Sequence, residues 1–402
     1  MLRSGGPKGR SVLTNVILVW VAFLVLLLAL GINVRFGEGT LERISTGSMD
    51  VHADFDTFWR SAEALWEGRG VYDTGARLVN LNPPFWTVLI SPLGLLEPLT
   101  AYRAFVLITL AVCVGYLAWM ADELRLRGWW AVVGTAMLLL SSPLLATLAL
   151  GQIYAVLAMG LVAAWGAERR DMPLASGFAL GLVAAVKPSL APILLWPLAR
   201  RRWRALVAAL VSAAAATLVG VIIVGPDATL EWLRLLFDSP LSPYWDNASL
   251  PAAAARLFTD NEFARPIATL PWMVPVAYLL GIGVVVFTAA KIRHGSEAGL
   301  WALVAASLLA SPIAWHNYLV LLGPGILLLL ARGWVAPGFL LLALQAIPPQ
   351  WPLLWQGEGT VVATLALTLY LYVLIAHWVA LLAAGKEPES VPEPVPRTEA
   401  GG

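Results

Sequence analysis

The chain has 402 residues, 59% of them hydrophobic and only 13% charged, with a formal net charge of +1. A soluble domain carries about 25% charged residues, whereas apolar runs of about 20 residues mark membrane helices. The composition therefore excludes a soluble enzyme. The basic residues lie in short clusters between apolar runs, so the net charge says nothing about nucleic acid; no nucleic-acid partner is expected, and the expected class is an all-α polytopic membrane protein embedded in a lipid bilayer.

Residues 1–15 carry Arg3, Lys8 and Arg10 ahead of the apolar run Val16 to Ile32. No small-x-small cleavage site follows, so the run reads as an uncleaved anchor with residues 1–15 in the cytoplasm. The first large outer loop is then 33–98. In it, HADFDTFWRSAEALW sets Phe55, Phe58, Trp59, Ala62, Leu65 and Trp66 at helical spacing, which predicts a short amphipathic helix on the membrane surface. Tyr102 to Met120, Trp129 to Leu145 and Gly151 to Gly166 read as the next spans, with the basic turns DELRLRG and ERRDMP inside. Leu174 to Val186 and Ala191 to Leu198 are too short to cross at 1.5 Å per residue. They predict two half-helices meeting within the membrane at Lys187-Pro188.

Ala205 to Val224 leads to a second large outer loop, 225–270. Pro271 to Ala290, Leu300 to Leu309, Tyr318 to Leu330, Val335 to Ala346 and Val361 to Ala384 bring the expected number of passes to about twelve. They form a single domain over 16–384, with both termini in the cytoplasm of a cell with this protein in its cytoplasmic membrane. The tail 385–402 is rich in Pro and Glu and reads as disordered. Cys113 is the only cysteine, so an intramolecular disulfide is excluded.

Asp54 and Asp56 lie just outside the first span. A carboxylate beside an apolar wall can work as a general base, or it can simply be a solvated juxtamembrane acid. Asp-x-Asp can also hold a metal, but three letters match often by chance, and no metal ligand is assigned here. His52 reads as a bystander. Lys187, flanked by apolar runs, either meets a phosphate as a point charge or snorkels or pairs with a structural acid. Trp315, His316 and Asn317, followed by Tyr318, suit sugar stacking and hydroxyl recognition, or form an interfacial aromatic belt. Gln152 stands at another outer turn, where a helix-packing hydrogen bond is the plainer role. Asn247, Ser249 and Arg256 fall in the second loop, where Asn-Ala-Ser also spells a glycosylation sequon. No P-loop, Gly-x-Gly-x-x-Gly, Gly-x-Ser-x-Gly or CxxC occurs. With the polar loops outside, any donor has to arrive already in the membrane, which points to a lipid-linked donor.

The stretch DFDTFWRSAEALWEGRGVYD followed by NPPFWTVLISPLGLL resembles glycosyltransferase family 87. Gly151-Gln152, KPSLAPILLWPLARRRW from Lys187, Asn247 to Ser249 and SPIAWHNYL from Ser311 follow in family order. Asn82 departs from the Tyr that often precedes Pro-Pro, and Tyr154 from the polar residue that often follows Gly-Gln-x. The resemblance implies a C-type glycosyltransferase fold and sugar transfer outside the cytoplasmic membrane. The donor would be polyprenyl-phosphate-linked mannose or arabinofuranose, and the acceptor a glycolipid or envelope glycan. It also implies that Asp54, the Asp of the Asp-Phe pair, is the catalytic base. In such a reaction Lys187 and Arg256 bind the donor phosphate, and Asp56, Gln152, Asn247, Ser249, Trp315, His316 and Asn317 contact substrate. A phosphate monoester leaves without protonation, so no cofactor is required, although a divalent metal is compatible with the chemistry. The rival class is a lipid flippase or solute transporter, where broken helices and intramembrane lysines also occur. The lack of repeated halves argues against it.

Overall fold

The computed structural model describes residues 38–126, 129–292, 296–355 and 359–385, with part of 20–35. The expectations for residues 1–15 and for the tail beyond Gly385 lie outside the described residues, as does most of the first apolar run.

The described chain is nearly all helical. The first loop holds α1 (Glu38–Ser45), α2 (Ala53–Trp66) and α3 (Pro84–Ile90), the last continued by a 3-10 turn over Ser91–Leu95. α2 is the amphipathic helix expected from the apolar spacing, with Phe55, Phe58, Trp59 and Ala62 buried. Gly94 presses this helix closely: a Cβ there would stand 2.7 Å from the backbone of Ala62 and Glu63. The Trp59 and Trp66 indoles close the same joint by donating to the carbonyls of Leu96 (3.0 Å) and Ser91 (2.7 Å).

Next come α4 (Pro98–Glu123), α5 (Trp129–Leu139), α6 (Ser142–Leu150) and α7 (Tyr154–Arg169). The single span expected from Trp129 to Leu145 is in fact two helices bent by 40°. Pro143 in the first turn of α6 cannot donate a backbone hydrogen bond. Asn33 Nδ2 donates to the carbonyl of Leu140 at the bend (3.0 Å).

The break expected at Lys187-Pro188 is present: α8 (Pro173–Val186) ends there, and a 3-10 stretch over Pro188–Leu194 leads into the short α9 (Leu195–Ala199), with Lys187 at φ −134°, ψ 86°. α10 (Trp203–Val224), α11 (Pro226–Asp238), α12 (Leu250–Phe258), α13 (Met273–Lys291) and α14 (Ala298–Ala310) follow. A 3-10 stretch, His316–Leu322, runs into α15 (Gly323–Ala331), and α16 (Val335–Ala346), α17 (Val361–Ala366) and α18 (Leu369–Ala384) end the described chain.

Among the described residues, four helical stretches are long and apolar enough to cross a membrane: Pro98–Glu123, Trp203–Val224, Met273–Lys291 and Val361–Ala384. The bent pair makes five, and six shorter apolar helices of 10–17 residues accompany them. Among the described residues the expected passes are therefore not all full-length helices, because prolines such as Pro143 and Pro324 interrupt apolar runs that look continuous in sequence.

α14 is the centre of the bundle, with every residue from Ala298 to Leu309 buried. It packs against α13, α18 and the 188–194 turn. α8 lies along α10, where Gly177 and Gly181 rest directly on the carbonyls of Ala205 and Ala209. Small residues four apart permit this close approach in membrane helices. One end of the bundle is tied by buried charges. Arg169 pairs with Glu123 (3.4 Å) and Glu297, Glu168 with Arg200 (3.3 Å) and Arg202 (2.8 Å), and Arg332 with Glu297 (3.6 Å).

Candidate active site

The site begins at the left-handed end of α6. Gly151 adopts φ 71°, and a Cβ there would meet the Cβ of Phe55 at 2.5 Å, so no larger residue fits the turn without displacing α2. Two buried rings hold that turn. His52 Nδ1 lies 2.6 Å from the Ala149 carbonyl, and the Tyr102 hydroxyl donates to the Leu148 carbonyl at 2.9 Å. The rings stack on each other with centroids 3.5 Å apart. His52, read as a bystander in the sequence, is thus fully buried and ties the start of α2 to the end of α6. Burial lowers its pKa, outweighing its backbone hydrogen bonds, which favours the neutral ring.

This joint brings Asp54 of α2 to Gln152. The Gln152 amide and the Lys187 ammonium are both close enough to stabilise the carboxylate. Burial raises the Asp54 pKa, and the Gln152 amide and the Lys187 charge pull it back in part. The residue as a whole nevertheless keeps some accessible surface. Lys187 Nζ stands 5.8 Å from the Tyr154 ring centroid and 5.2 Å from that of Tyr318, and those rings lie 4.0 Å apart. Three apolar stretches, far apart in sequence, thus deliver a carboxylate, an amide and a cation to one place.

Asp56 does not join them. Two residues along a helix is a rotation of about 200°, and Asp56 pairs with Arg60 on its own helix at 2.8 Å. Among the described residues, no three His, Cys, Asp or Glu side chains converge as metal ligands.

The second loop forms its own buried cluster. Asn247 bridges to Trp315 in antiparallel fashion, and its side chain accepts from the Ala314 N–H (2.9 Å) and donates to the Pro312 carbonyl (3.0 Å). It is fully buried, so the sequon offers no modification site. Ser249 caps α12 by accepting from the Ala252 N–H. Arg256, expected at the donor phosphate, is fully buried and donates to the carbonyls of Trp245 (2.9 Å) and Asn247 (2.8 Å). Desolvation lowers its pKa to about 10, and in this structure it holds the loop rather than lining open space.

Asp246, which sequence reading missed, accepts from the His316 backbone N–H at 3.0 Å and stands 2.8 Å from His316 Nδ1. Its only signal was its place just before Asn-Ala-Ser. Trp315 meets Tyr244 edge to face at 6.1 Å. His316 Nε2 and Asn317 Oδ1 are buried without a protein hydrogen-bond partner. Tyr318, on the same 3-10 stretch, joins this cluster to Lys187.

A groove of about 240 Å³ is lined chiefly by apolar groups from Pro83, Phe85, Pro188, Thr217, Val221 and Trp232, so it reaches the residue that follows Lys187 in the chain. A largely enclosed carboxylate, a nearby cation and an apolar groove, all within a bundle of apolar helices, fit a polytopic membrane enzyme. Residues 80–312, more than half of the chain, match the model of glycosyltransferase family 87. The chain belongs to that family and is a membrane glycosyltransferase, which removes the transporter alternative. The matched segment includes Gln152 and Lys187, while Asp54 precedes it.

The chain is 29% identical over 323 residues, 72% of each chain, to the polyprenol-phosphate-mannose-dependent alpha-(1-2)-phosphatidylinositol mannoside mannosyltransferase of Mycobacterium tuberculosis. It is 28% identical over 271 residues, 59% of this chain and 62% of the other, to the polyprenol-phosphate-mannose-dependent alpha-(1-2)-phosphatidylinositol pentamannoside mannosyltransferase of Mycolicibacterium smegmatis. Among solved structures, ArnT from Cupriavidus metallidurans superposes with TM-scores of 0.43 in the apo state and 0.42 bound to undecaprenyl phosphate. Both share 17% identity and cover 94% of this chain and 78% of ArnT.

Proposed function

We propose that the chain transfers mannose from a polyprenyl-phosphate donor to a hydroxyl of a glycolipid or envelope-glycan acceptor, with inversion and with Asp54 as general base. The observation that carries this reading is the Asp54, Gln152 and Lys187 constellation, with an apolar groove on Ala184, Ala185 and Pro188 next to Lys187 in the chain. The names of both mycobacterial relatives favour mannose over arabinofuranose.

The isoprenoid chain lies along the groove, and its phosphate meets Lys187. The acceptor oxygen bonds to the anomeric carbon as the carbon–oxygen bond to phosphate breaks. The proton passes to Asp54, and the electron pair leaves on polyprenyl phosphate. Gln152 orients the carboxylate, and the unsatisfied His316 and Asn317 groups accept sugar hydroxyls. A divalent metal is not needed for this displacement. The positive-inside rule assigns the arginine-rich end to the cytoplasm of the cell, and hence the site to the outer face.

The test is transfer of label from radiolabelled polyprenyl-phosphate-mannose to endogenous lipid acceptors, in membranes carrying wild type or Asp54→Asn. Loss of the base is expected to lower the rate by about 10²–10⁴. Wild-type transfer persisting in Asp54→Asn would overturn the assignment of the base, and transfer from the arabinofuranose donor alone would overturn the choice of sugar.

A further inference from the structure

Two buried polar side chains at the heart of the apolar bundle take no part in the chemistry above. His377 on α18 is 0% exposed, and Gln345 on α16 is 1% exposed. Polar groups at such depth are costly and are kept where they do a job. His377 Nδ1 lies 2.8 Å from the Val373 carbonyl, one turn back on its own helix. A carbonyl can only accept, so Nδ1 carries the proton and Nε2 presents a lone pair. Gln345 Nε2 is 3.0 Å from that lone pair and 3.2 Å from the Leu319 carbonyl, and its two N–H groups serve both acceptors. The opposite amide orientation would set the Gln345 carbonyl oxygen against two acceptors at once. The tautomer and the amide orientation therefore fix each other, and Gln345 Oε1 is the atom left without a partner.

Leu319 is the residue after Tyr318, within the 3-10 stretch His316–Leu322. Backbone that departs from the α-helix inside a membrane needs partners from the protein itself. That stretch also carries His316 and Asn317, and it sets the Tyr318 ring under Lys187 Nζ.

We infer that His377 and Gln345 form a positioning relay, running from the Val373 carbonyl to the Leu319 carbonyl, that holds the 3-10 stretch in the register the active site requires. Neither residue touches substrate. The relay acts through Tyr318 on the donor-phosphate end of the site, and this functional consequence rests on the glycosyltransferase reading above.

The test uses the full-length protein in detergent and four variants. Gln345→Met keeps the side-chain volume but removes the donors. His377→Leu removes the acceptor, and His377→Gln restores an acceptor in the form of its amide oxygen. The fourth combines Gln345→Met with His377→Leu. Hydrogen–deuterium exchange over residues 316–322 gives a readout independent of activity. The expected result is at least tenfold faster exchange there in Gln345→Met and His377→Leu, with α4 unchanged and His377→Gln close to wild type. With polyprenyl-phosphate-mannose as donor, KM rises about tenfold in the same two variants while kcat stays within about threefold. The double variant is no worse than either single one, because one relay can be broken only once.

Exchange and KM unchanged in both broken variants would overturn the relay, as would additive effects in the double variant. If Gln345→Met fails to fold, His377→Gln against His377→Leu decides: equal behaviour of those two overturns it. Absence of mannose transfer by the wild type would instead defeat the donor reading, and the exchange result would still decide the relay.

Discussion

At the scale of single residues, Asp54 is held in a state that costs stability and favours chemistry. Burial raises its pKa above the ordinary 3.8, so the folded protein binds that proton more tightly than the unfolded chain does. The stability linked to this proton is fully present below the unfolded value and is lost as pH rises through the folded one. Asp54→Asn, which cannot ionise, is therefore expected to unfold at a higher temperature than wild type near neutral pH, with the gap closing as the pH falls toward 3.8. Thermal unfolding in detergent at several pH values checks this, and a variant less stable at every pH would contradict it. The base must be ionised to work, so kcat/KM should rise with pH through the Asp54 pKa. Lys187 pulls that pKa down. In Lys187→Met the acid limb of the profile is expected to move to higher pH, and the donor KM to rise about 10- to 100-fold, as for loss of a charged hydrogen bond. An unmoved acid limb would show that the two charges are not coupled. Asp54, Gln152 and Lys187 were each legible in the sequence, because a polar residue among apolar ones is conspicuous. Their meeting point was not legible, since it depends on the His52 and Tyr102 contacts with the end of α6, and nothing in the spacing of an isolated His or Tyr reveals which carbonyl it will find.

At the scale of elements, the interrupted helices matter more than the continuous ones. The break at Lys187-Pro188 could be read directly, because the two apolar runs are each too short to cross and proline ends a helix. The bend before α6 could not, because Trp129 to Leu145 is long enough to cross and the Asn33 side chain that donates at the bend lies 107 residues away in the chain. Placement of Lys187 depends on how closely α8 approaches α10. Gly181 sits against the Ala209 carbonyl and Ser212 Oγ, and Ser212 in turn donates to the Phe178 carbonyl at 3.0 Å. A methyl at Gly181 has no room, so Gly181→Ala is expected to destabilise the protein by about 1–3 kcal/mol, the usual range for overpacking. Gly115 on α4 has nothing within 4 Å of a Cβ, and Gly115→Ala is expected to be neutral or to stabilise by up to about 1 kcal/mol, since alanine is the better helix former. Unfolding midpoints of the two variants in the same detergent make the comparison. Equal effects would mean that α8 and α10 are not in the close contact described.

At the scale of the whole molecule, charge chemistry is divided between two ends. Along α7, Tyr154 stands at the active site and Arg169 in the ion-pair cluster, a separation of about 22 Å at 1.5 Å per residue. The cluster joins the ends of α4, α7, α9, α14 and α15 through side chains that are mostly less than 10% exposed. Arginines there also lie over indoles, Arg169 on Trp165 at 5.2 Å and Arg200 on Trp196 at 4.7 Å. The sequence showed the basic turns, and Glu123 and Glu168 within them, but not the pairing, because which arginine each glutamate meets, and that Glu297 joins them, requires the tertiary fold. Truncating one member of a buried ion pair leaves uncompensated charge and typically costs about 3–5 kcal/mol. Glu297→Ala, which withdraws a carboxylate facing both Arg169 and Arg332, should lower stability by that order. Its effect should also survive high salt, because screening reaches buried pairs poorly. The folded fraction should keep wild-type kcat and donor KM, since the cluster anchors helix ends and touches nothing around Asp54. A change in kcat of more than about threefold in folded Glu297→Ala would instead show that the two ends of the bundle are energetically coupled, with α7 the shortest route between them.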